Sequence, residues 1–166
     1  TATTWLLLLF TVFGFTDALH AQITQRGTAT TATSTGTTIT INKPTGVVAG
    51  DIMLVSIAQR GSNALTAATL TGWTQVATNQ QNGGGINRTY TVLYRIAIAG
   101  EPANYTFTLD TNSTNNVGAI IAFSGVDGVT PIDVNGAFNN NNALIANADS
   151  ITTTTANTAV IMFASA

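Results

Sequence analysis

The sequence has 166 residues, enough for one domain with a sizeable core. Charged residues make up 7% of it and the formal net charge is −2, which gives no electrostatic reason for binding to nucleic acid or to an anionic membrane. Cysteine is absent, so disulfides contribute nothing to stability. Threonine supplies about a fifth of the chain, and asparagine and glycine are common. Because threonine favours strands while asparagine and glycine favour turns, this composition predicts an all-β protein.

Residues 5–15 form an almost continuous apolar run, which is typical of a secretory signal and too short for a transmembrane helix. Residues 16–21 resemble a cleavage region, and we predict a signal peptide over residues 1–21 with Gln22 first in the mature chain. A cut after Ala18 is the second choice. Since no initiating Met or basic residue precedes the run, we expect the recorded sequence to begin inside the signal. The alternative is a buried N-terminal strand or helix. The signal predicts a secreted or cell-surface protein with no membrane span in the mature chain.

The next segments predict strands separated by turns. Residues 22–36 are rich in threonine and nearly free of large apolar side chains, which predicts a flexible lead or an edge segment. The β-sandwich domain is expected over residues 37–166. Residues 38–41 alternate and predict its first strand, while residues 52–58 are apolar on both faces, as in a central strand. A short strand over 72–76 and a loop over 79–85 follow.

The strongest structural signal runs from Thr89 to Leu109 and predicts two strands joined by a tight corner at residues 99–103. Successive side chains of a strand point to opposite sides. One face of the first strand therefore carries Tyr90, Val92, Tyr94, Ile96 and Ile98. One face of the second carries Tyr105, Phe107 and Leu109.

The last third of the chain predicts three more strands. Residues 117–124 are mostly apolar and residues 150–155 read as a polar edge strand, with a loop of four asparagines at 139–142 between them. Residues 159–164 are apolar on both faces and predict a central strand. Because a central strand needs two neighbours, we expect the domain to continue beyond Ala166. The alternative is a genuine C-terminus that pairs its last strand into the sheet.

Several spaced motifs resemble a β-sandwich module of large secreted bacterial surface proteins and of phage tail and appendage proteins. The resemblance covers roughly residue 37 to the end. It rests on Gly-Asp-Ile-Met-Leu-Val from Gly50, Gly-Trp-Thr from Gly72, Tyr-Arg-Ile-Ala-Ile-Ala-Gly-Glu-Pro-Ala from Tyr94, Tyr-Thr-Phe-Thr from Tyr105, Ala-Phe-Ser-Gly-Val-Asp from Ala122 and Pro-Ile-Asp from Pro131. It implies a jelly-roll-like, antiparallel two-sheet fold and a structural or adhesive role, and it carries no catalytic residues to transfer.

Residues suited to catalysis are scarce. The only histidine, His20, lies in the predicted signal, and there is no cysteine, which argues against nucleophilic triads and zinc sites built on them. A pair of carboxylates could serve a glycosidase. However, every acid of the mature chain lies at a predicted turn or strand end, where such residues commonly cap turns: Asp51, Glu101, Asp110, Asp127, Asp133 and Asp149. We therefore predict that the chain is not an enzyme.

The sequence suggests two possible kinds of binding site, one for calcium and one for sugar. Asp127, Asp133 and the asparagines at 139–142 offer the oxygen ligands that calcium prefers, although their spacing matches no calcium loop. Sugar rings could stack on Trp73 or on the tyrosines, but alternation favours core packing for the tyrosines. Trp73, beside a turn, is therefore the candidate ligand-binding residue.

These observations predict a structural or adhesive module of an exported protein. Its expected partners are surface glycans or neighbouring modules of the same protein. The alternative is a carbohydrate-binding module attached to an exported enzyme.

Overall fold

A computed structural model describes residues 22–138 and 149–164, and the predicted signal over 1–21 lies outside them. The described residues form strands and irregular segments without a helix, which confirms the all-β prediction. No segment in this part of the chain is therefore a helix able to span a membrane. The strands are β1 (Thr24–Gln25), β2 (Thr30–Ser34), β3 (Thr38–Asn42), β4 (Ile52–Gly61), β5 (Thr74–Gly83), β6 (Ile86–Ile96), β7 (Asn104–Thr108) and β8 (Ser113–Ser124).

The strands form two antiparallel sheets, an arrangement consistent with a β-sandwich. The larger sheet has six strands, with the order β1-β8-β4-β6-β5, and β2 also pairs with β8. The smaller sheet consists of β3 and β7. β4 is the central strand of the large sheet, paired with β6 on one side and β8 on the other, as its apolar character on both faces predicts.

The main core lies between the two sheets. It is built from the inward-facing residues of β4 and β8 and from both strands of the small sheet. Gly118 of β8 allows this close packing, because a Cβ there would lie only 2.7 Å from Cδ1 of Ile41 in the small sheet. The fully buried members are Ile39, Ile41, Met53, Val55, Ile57, Ala68, Phe107, Ile120 and Ala122.

The two strands predicted over Thr89 to Leu109 exist, but they belong to different sheets, and the corner between them crosses from one sheet to the other. In β7, Tyr105 and Phe107 point into the core as expected. In β6 the inward face is the opposite of the aromatic one: Thr89 and Thr91 are fully buried. Their hydroxyls explain this, since they bond to a loop over residues 62–73 that covers the core: Thr89 donates to the Leu65 carbonyl at 3.0 Å, and Thr91 accepts from the Ala68 amide at 3.1 Å. Tyr90 and Tyr94 therefore do not pack in the core between the sheets: both lie half-buried on the outer face, where Tyr94 packs against an apolar cluster of Ile52, Leu54 and Phe123.

The segment predicted as a short strand and a loop over 72–85 is a long hairpin instead. β5 runs to Gly83 and turns back into β6 through Gly84 and Gly85, both with positive φ, at 61° and 76°. Two glycines suit the tight hairpin turn whose central residues both need positive φ. The polar side chains that suggested a loop are those of an exposed strand at the edge of the sheet.

Residues 22–36 were predicted as a flexible lead or an edge segment, and they form one edge of the large sheet. β1 and β2 pair with different parts of β8, and a tight turn after β2 leads into β3 of the other sheet.

The predicted strands over 150–155 and 159–164 are wrong, because both segments are irregular. Ile161 and Phe163 lie half-buried on the outer face of the large sheet, whereas Val160 is 64% exposed. Apolar side chains on the outer ends of β4 and β8 provide the surface on which these two residues pack, so burial of one face is achieved without strand pairing. This outer cluster centres on Ile52, Leu54 and Phe123.

Candidate functional site

Two carboxylates of the predicted turns fasten loops to the core. Asp51 accepts from the Arg26 guanidinium at 3.0 and 3.2 Å and from the Val48 amide at 2.9 Å. Asp110 accepts from the Thr66 amide and the Asn112 amide, each at 2.8 Å. These amide hydrogen bonds lower the pKa of Asp110, because they favour its charged form.

Glu101 fixes the corner between β6 and β7. Its side chain is only 2% exposed, and it accepts from Arg95 at 2.8 Å, from the Ile98 amide at 2.9 Å and from the Tyr105 hydroxyl at 2.7 Å. Burial raises the pKa of Glu101, but these hydrogen bonds outweigh burial and the pKa lies below its ordinary value. Burial, followed by the neighbouring Glu101 carboxylate, raises the pKa of Tyr105 far above its ordinary value. The tyrosine therefore stays a neutral donor and serves the corner, not proton transfer.

The two predicted calcium ligands already have donor partners. Asp127 accepts from the Val129 amide and the Thr130 hydroxyl, each at 2.8 Å. Asp133 accepts from the amides of Thr154 and Thr155, at 2.7 and 3.2 Å, and from both hydroxyls.

The contacts of Asp133 tie its turn to Thr154 and Thr155 in the C-terminal segment, whereas those of Asp127 stay within its own turn. Hydrogen bonds from the hydroxyl and the amide of Thr154 lower the pKa of Asp133 to about 2. The asparagines at 139–142 lie outside the described residues, and within those residues no group of three or more acidic or histidine side chains converges. Calcium binding stays a prediction.

Trp73 lies at the margin of the core. Its ring makes edge contacts with Tyr105 and Phe107, at centroid distances of 5.1 and 5.2 Å, and its indole nitrogen is buried without an acceptor in the described part of the chain. The half-buried ring thus packs against the core, and ligand binding by Trp73 stays a prediction.

An open groove lies instead on the outer face of the large sheet. The outward residues of its three central strands change in the same order, from large apolar side chains at one end to polar ones at the other. This order is Ile52, Leu54, Ser56, Ala58, Arg60 in β4; Ile96, Tyr94, Val92, Tyr90, Arg88 in β6; and Phe123, Ile121, Ala119, Val117, Asn115 in β8. The apolar end packs against Val126, Ile132, Ile161 and Phe163, and the polar end borders a groove of about 900 Å³.

Two arginines lie side by side at the polar end of this groove. Arg60 and Arg88 are direct cross-strand partners, and neither makes an ion pair in the described residues, where the two ion pairs are Arg26–Asp51 and Arg95–Glu101. Like charges directly opposite each other in a sheet are destabilising. Tyr90 is the next outward residue after Arg88, and it faces Ala58 across the strand pair, where a small side chain leaves space beside the ring.

Sequence reasoning did not single out Arg60 and Arg88. The sequence did contain a signal for them, because in each strand the arginine lies two residues beyond the last of the alternating residues that share its face. Their pairing depends on the register between β4 and β6, which local pattern does not specify.

Fold and site together define a two-sheet, antiparallel all-β protein whose larger sheet has an outer face that is covered at one end and carries a basic and aromatic groove at the other. No protein-family model matches the chain, and no curated protein or solved structure matches it either.

Proposed function

We propose that this chain is a structural or adhesive module of an exported cell-surface or extracellular protein, with a jelly-roll-like fold and no catalysis of its own. The use of its carboxylates carries the proposal. Hydrogen bonds that fasten loops or corners of the fold are accepted by Asp51, Glu101, Asp110, Asp127 and Asp133. A scaffold needs carboxylates in this role, whereas a hydrolase needs two of them facing a substrate.

Export is supported by the sequence. The apolar run over 5–15 and the small residue Ala21 are typical of a secretory signal. The motifs from Gly50 to Asp133 resemble modules of large secreted bacterial surface proteins and phage appendages, which adds a bacterial surface setting to the proposal.

A two-part experiment tests this function. Expression of the natural coding sequence in a bacterial host should yield protein in the medium or on the cell surface, and N-terminal sequencing should find Gln22 first. Beads coated with the purified protein should then retain cells or insoluble polysaccharide without releasing sugar. Protein that stays inside the cell with residues 1–21 intact, or that hydrolyses the polysaccharide, contradicts the proposal.

The groove on the outer face favours a second candidate, a carbohydrate-binding module attached to an exported enzyme. A sheet face with a half-buried aromatic side chain such as Tyr90 offers a surface on which a sugar ring can pack. The downstream coding sequence discriminates the two, since further similar modules favour the surface protein and a hydrolase domain favours the second candidate.

A further inference from the structure

We infer that the groove bounded by Arg60, Arg88 and Tyr90 binds an acidic polysaccharide, with the two guanidinium groups holding a carboxylate or sulfate of one sugar unit. This inference deepens the proposed adhesive role by naming its ligand class and its site. It rests on three independent features of the groove: its charge, its walls and its size.

The groove carries a local positive charge, although the chain as a whole is slightly negative. The formal net charge is −2, yet two of the five basic residues lie directly opposite each other, with no acidic partner within residues 22–138 and 149–164. Because like charges in this position destabilise the sheet, a bound anion between them would relieve a cost that the fold otherwise bears. A guanidinium presents paired donors that match a carboxylate or a sulfate, and arginine is favoured over lysine at such sites.

The walls of the groove have a shape and polarity that suit a sugar chain. On one side stands the half-buried ring of Tyr90, with Ala58 beside it. On the other side lies the polar turn after β2, which is held in place by the buried Asn116: its amide nitrogen donates to the carbonyls of Ser34 and Gly36, at 3.2 and 2.9 Å. The wall is therefore a fixed part of the groove.

The size and charge together favour a polysaccharide over a nucleic acid. A groove of about 900 Å³, open along the sheet, accommodates several sugar units. A nucleic acid carries a charge on every nucleotide and calls for a basic stripe with several aromatic platforms. The groove offers two arginines and one tyrosine, which suits a ligand with widely spaced charges.

Binding to immobilised polysaccharides tests the inference directly. The probes are polygalacturonate for carboxylate, dextran sulfate for sulfate, uncharged dextran, and a short single-stranded DNA. We expect the purified protein to bind one or both acidic polysaccharides, more weakly as salt rises, and to bind dextran and DNA weakly or not at all. The carboxylate and sulfate arms identify which anion the groove prefers.

Substitutions locate the site. The double variant Arg60→Gln and Arg88→Gln should lose roughly tenfold or more in affinity, because charge-assisted hydrogen bonds to the anion are removed. Replacing both by Lys keeps the charge and removes the planar fork, so we expect an intermediate loss. Lys43→Gln is the matched control, since it removes one positive charge from the end of β3 in the other sheet, and it should bind as the wild type does. Circular dichroism and thermal melts verify that each variant is folded.

Four results would overturn the assignment: no acidic polysaccharide binds, dextran binds equally well, DNA binds more tightly, or the double Gln variant binds like the Lys43→Gln control. If beads coated with the double Gln variant still retain cells, the adhesive role stands and only the groove is wrong. If the wild type binds acidic polysaccharide but is never exported, the groove stands and the proposed setting is wrong.

Discussion

The two faces of the six-stranded sheet are formed by the same strands, but one is buried in the core and the other is only partly covered. On the inner face, Met53, Val55 and Ile57 of β4 are fully buried against the small sheet. On the outer face, the alternate residues of β4 change in character from the apolar Ile52 at the covered end to the charged Arg60 at the open end. The inner face thus forms the main core of the fold. The outer face is covered by other segments at its apolar end and is open as a groove at its polar end.

Arginines of β6 show the same difference. Arg95 lies on the inward side, where it donates to the buried carboxylate of Glu101 and, at 3.0 Å, to the Gly72 carbonyl. Arg88 lies on the outward side beside another arginine. A charge that the fold needs has partners within the fold, so an arginine without one is the better candidate for binding an external ligand.

The largest expected effect is on the inner face. Ile57→Ala should lower the free energy of unfolding by about 2–5 kcal/mol, because the side chain is fully buried and leaves a cavity between the sheets. Val117→Ala is the matched outer-face change, at a side chain that is 42% exposed, and should alter it by about 0.5 kcal/mol. Urea denaturation measures both. Equal losses would show that the two faces do not differ as described.

Removal of the inward arginine comes next. Arg95→Gln should cost about 3 kcal/mol, since it leaves the buried Glu101 carboxylate without its cation. Because hydrogen bonds lower the pKa of Glu101 in the folded state, its stabilisation is present above the ordinary carboxyl range and is lost as pH falls through the lowered pKa. Urea melts at pH 7 and pH 3 should therefore show a larger difference for the wild type than for the variant. A pH dependence unchanged in Arg95→Gln would contradict this account.

A local effect is expected where the outer face is covered. Asp133→Asn should increase hydrogen exchange over residues 150–164 while protection of β4 stays the same, because the acceptors for Thr154 and Thr155 are weakened. In the wild type the pKa of Asp133 is lowered to about 2, so this protection should be complete above about pH 4 and fall as pH drops through about 2.

The matched control for this local effect is Asp127→Asn, which disturbs only the turn over residues 127–130. If it releases residues 150–164 equally, the fastening does not depend on Asp133.

The smallest effect should have the opposite sign. Arg88→Gln should leave the free energy of unfolding unchanged or raise it by up to about 0.5 kcal/mol, because it removes a like charge opposite Arg60. Thermal melts at low salt are the most sensitive measurement. A loss comparable to that of Arg95→Gln would mean that Arg88 has a structural partner and that the groove is not free for a ligand.

Local pattern was sufficient for much of this fold. Strand alternation and threonine content predict an all-β chain, and the two-faced run at β4 predicts a strand at the centre of a sheet, because a central strand needs apolar residues on both sides. The inward face of β7 also follows directly from alternation, since Tyr105 and Phe107 are its only large side chains.

Tertiary structure decided where pattern was ambiguous. In β6 the tyrosines make one face appear suited to the core, yet Thr89 and Thr91 are the buried residues because a distant loop satisfies their hydroxyls. Residues 159–164 have the composition of a central strand, yet they pack as an irregular cover on the outer face. Both outcomes depend on partners remote in the chain, which a short window of sequence does not contain.

The candidate site divides in the same way. The sequence by itself determined that charged residues are few and that alternate residues of each strand share a face. Only the tertiary structure decided that Arg60 meets Arg88 and that Arg95 meets Glu101. The physical reason is register: a shift of one residue between two strands exchanges the faces and would separate the groove's arginines, and the packing of the whole inner face selects one register.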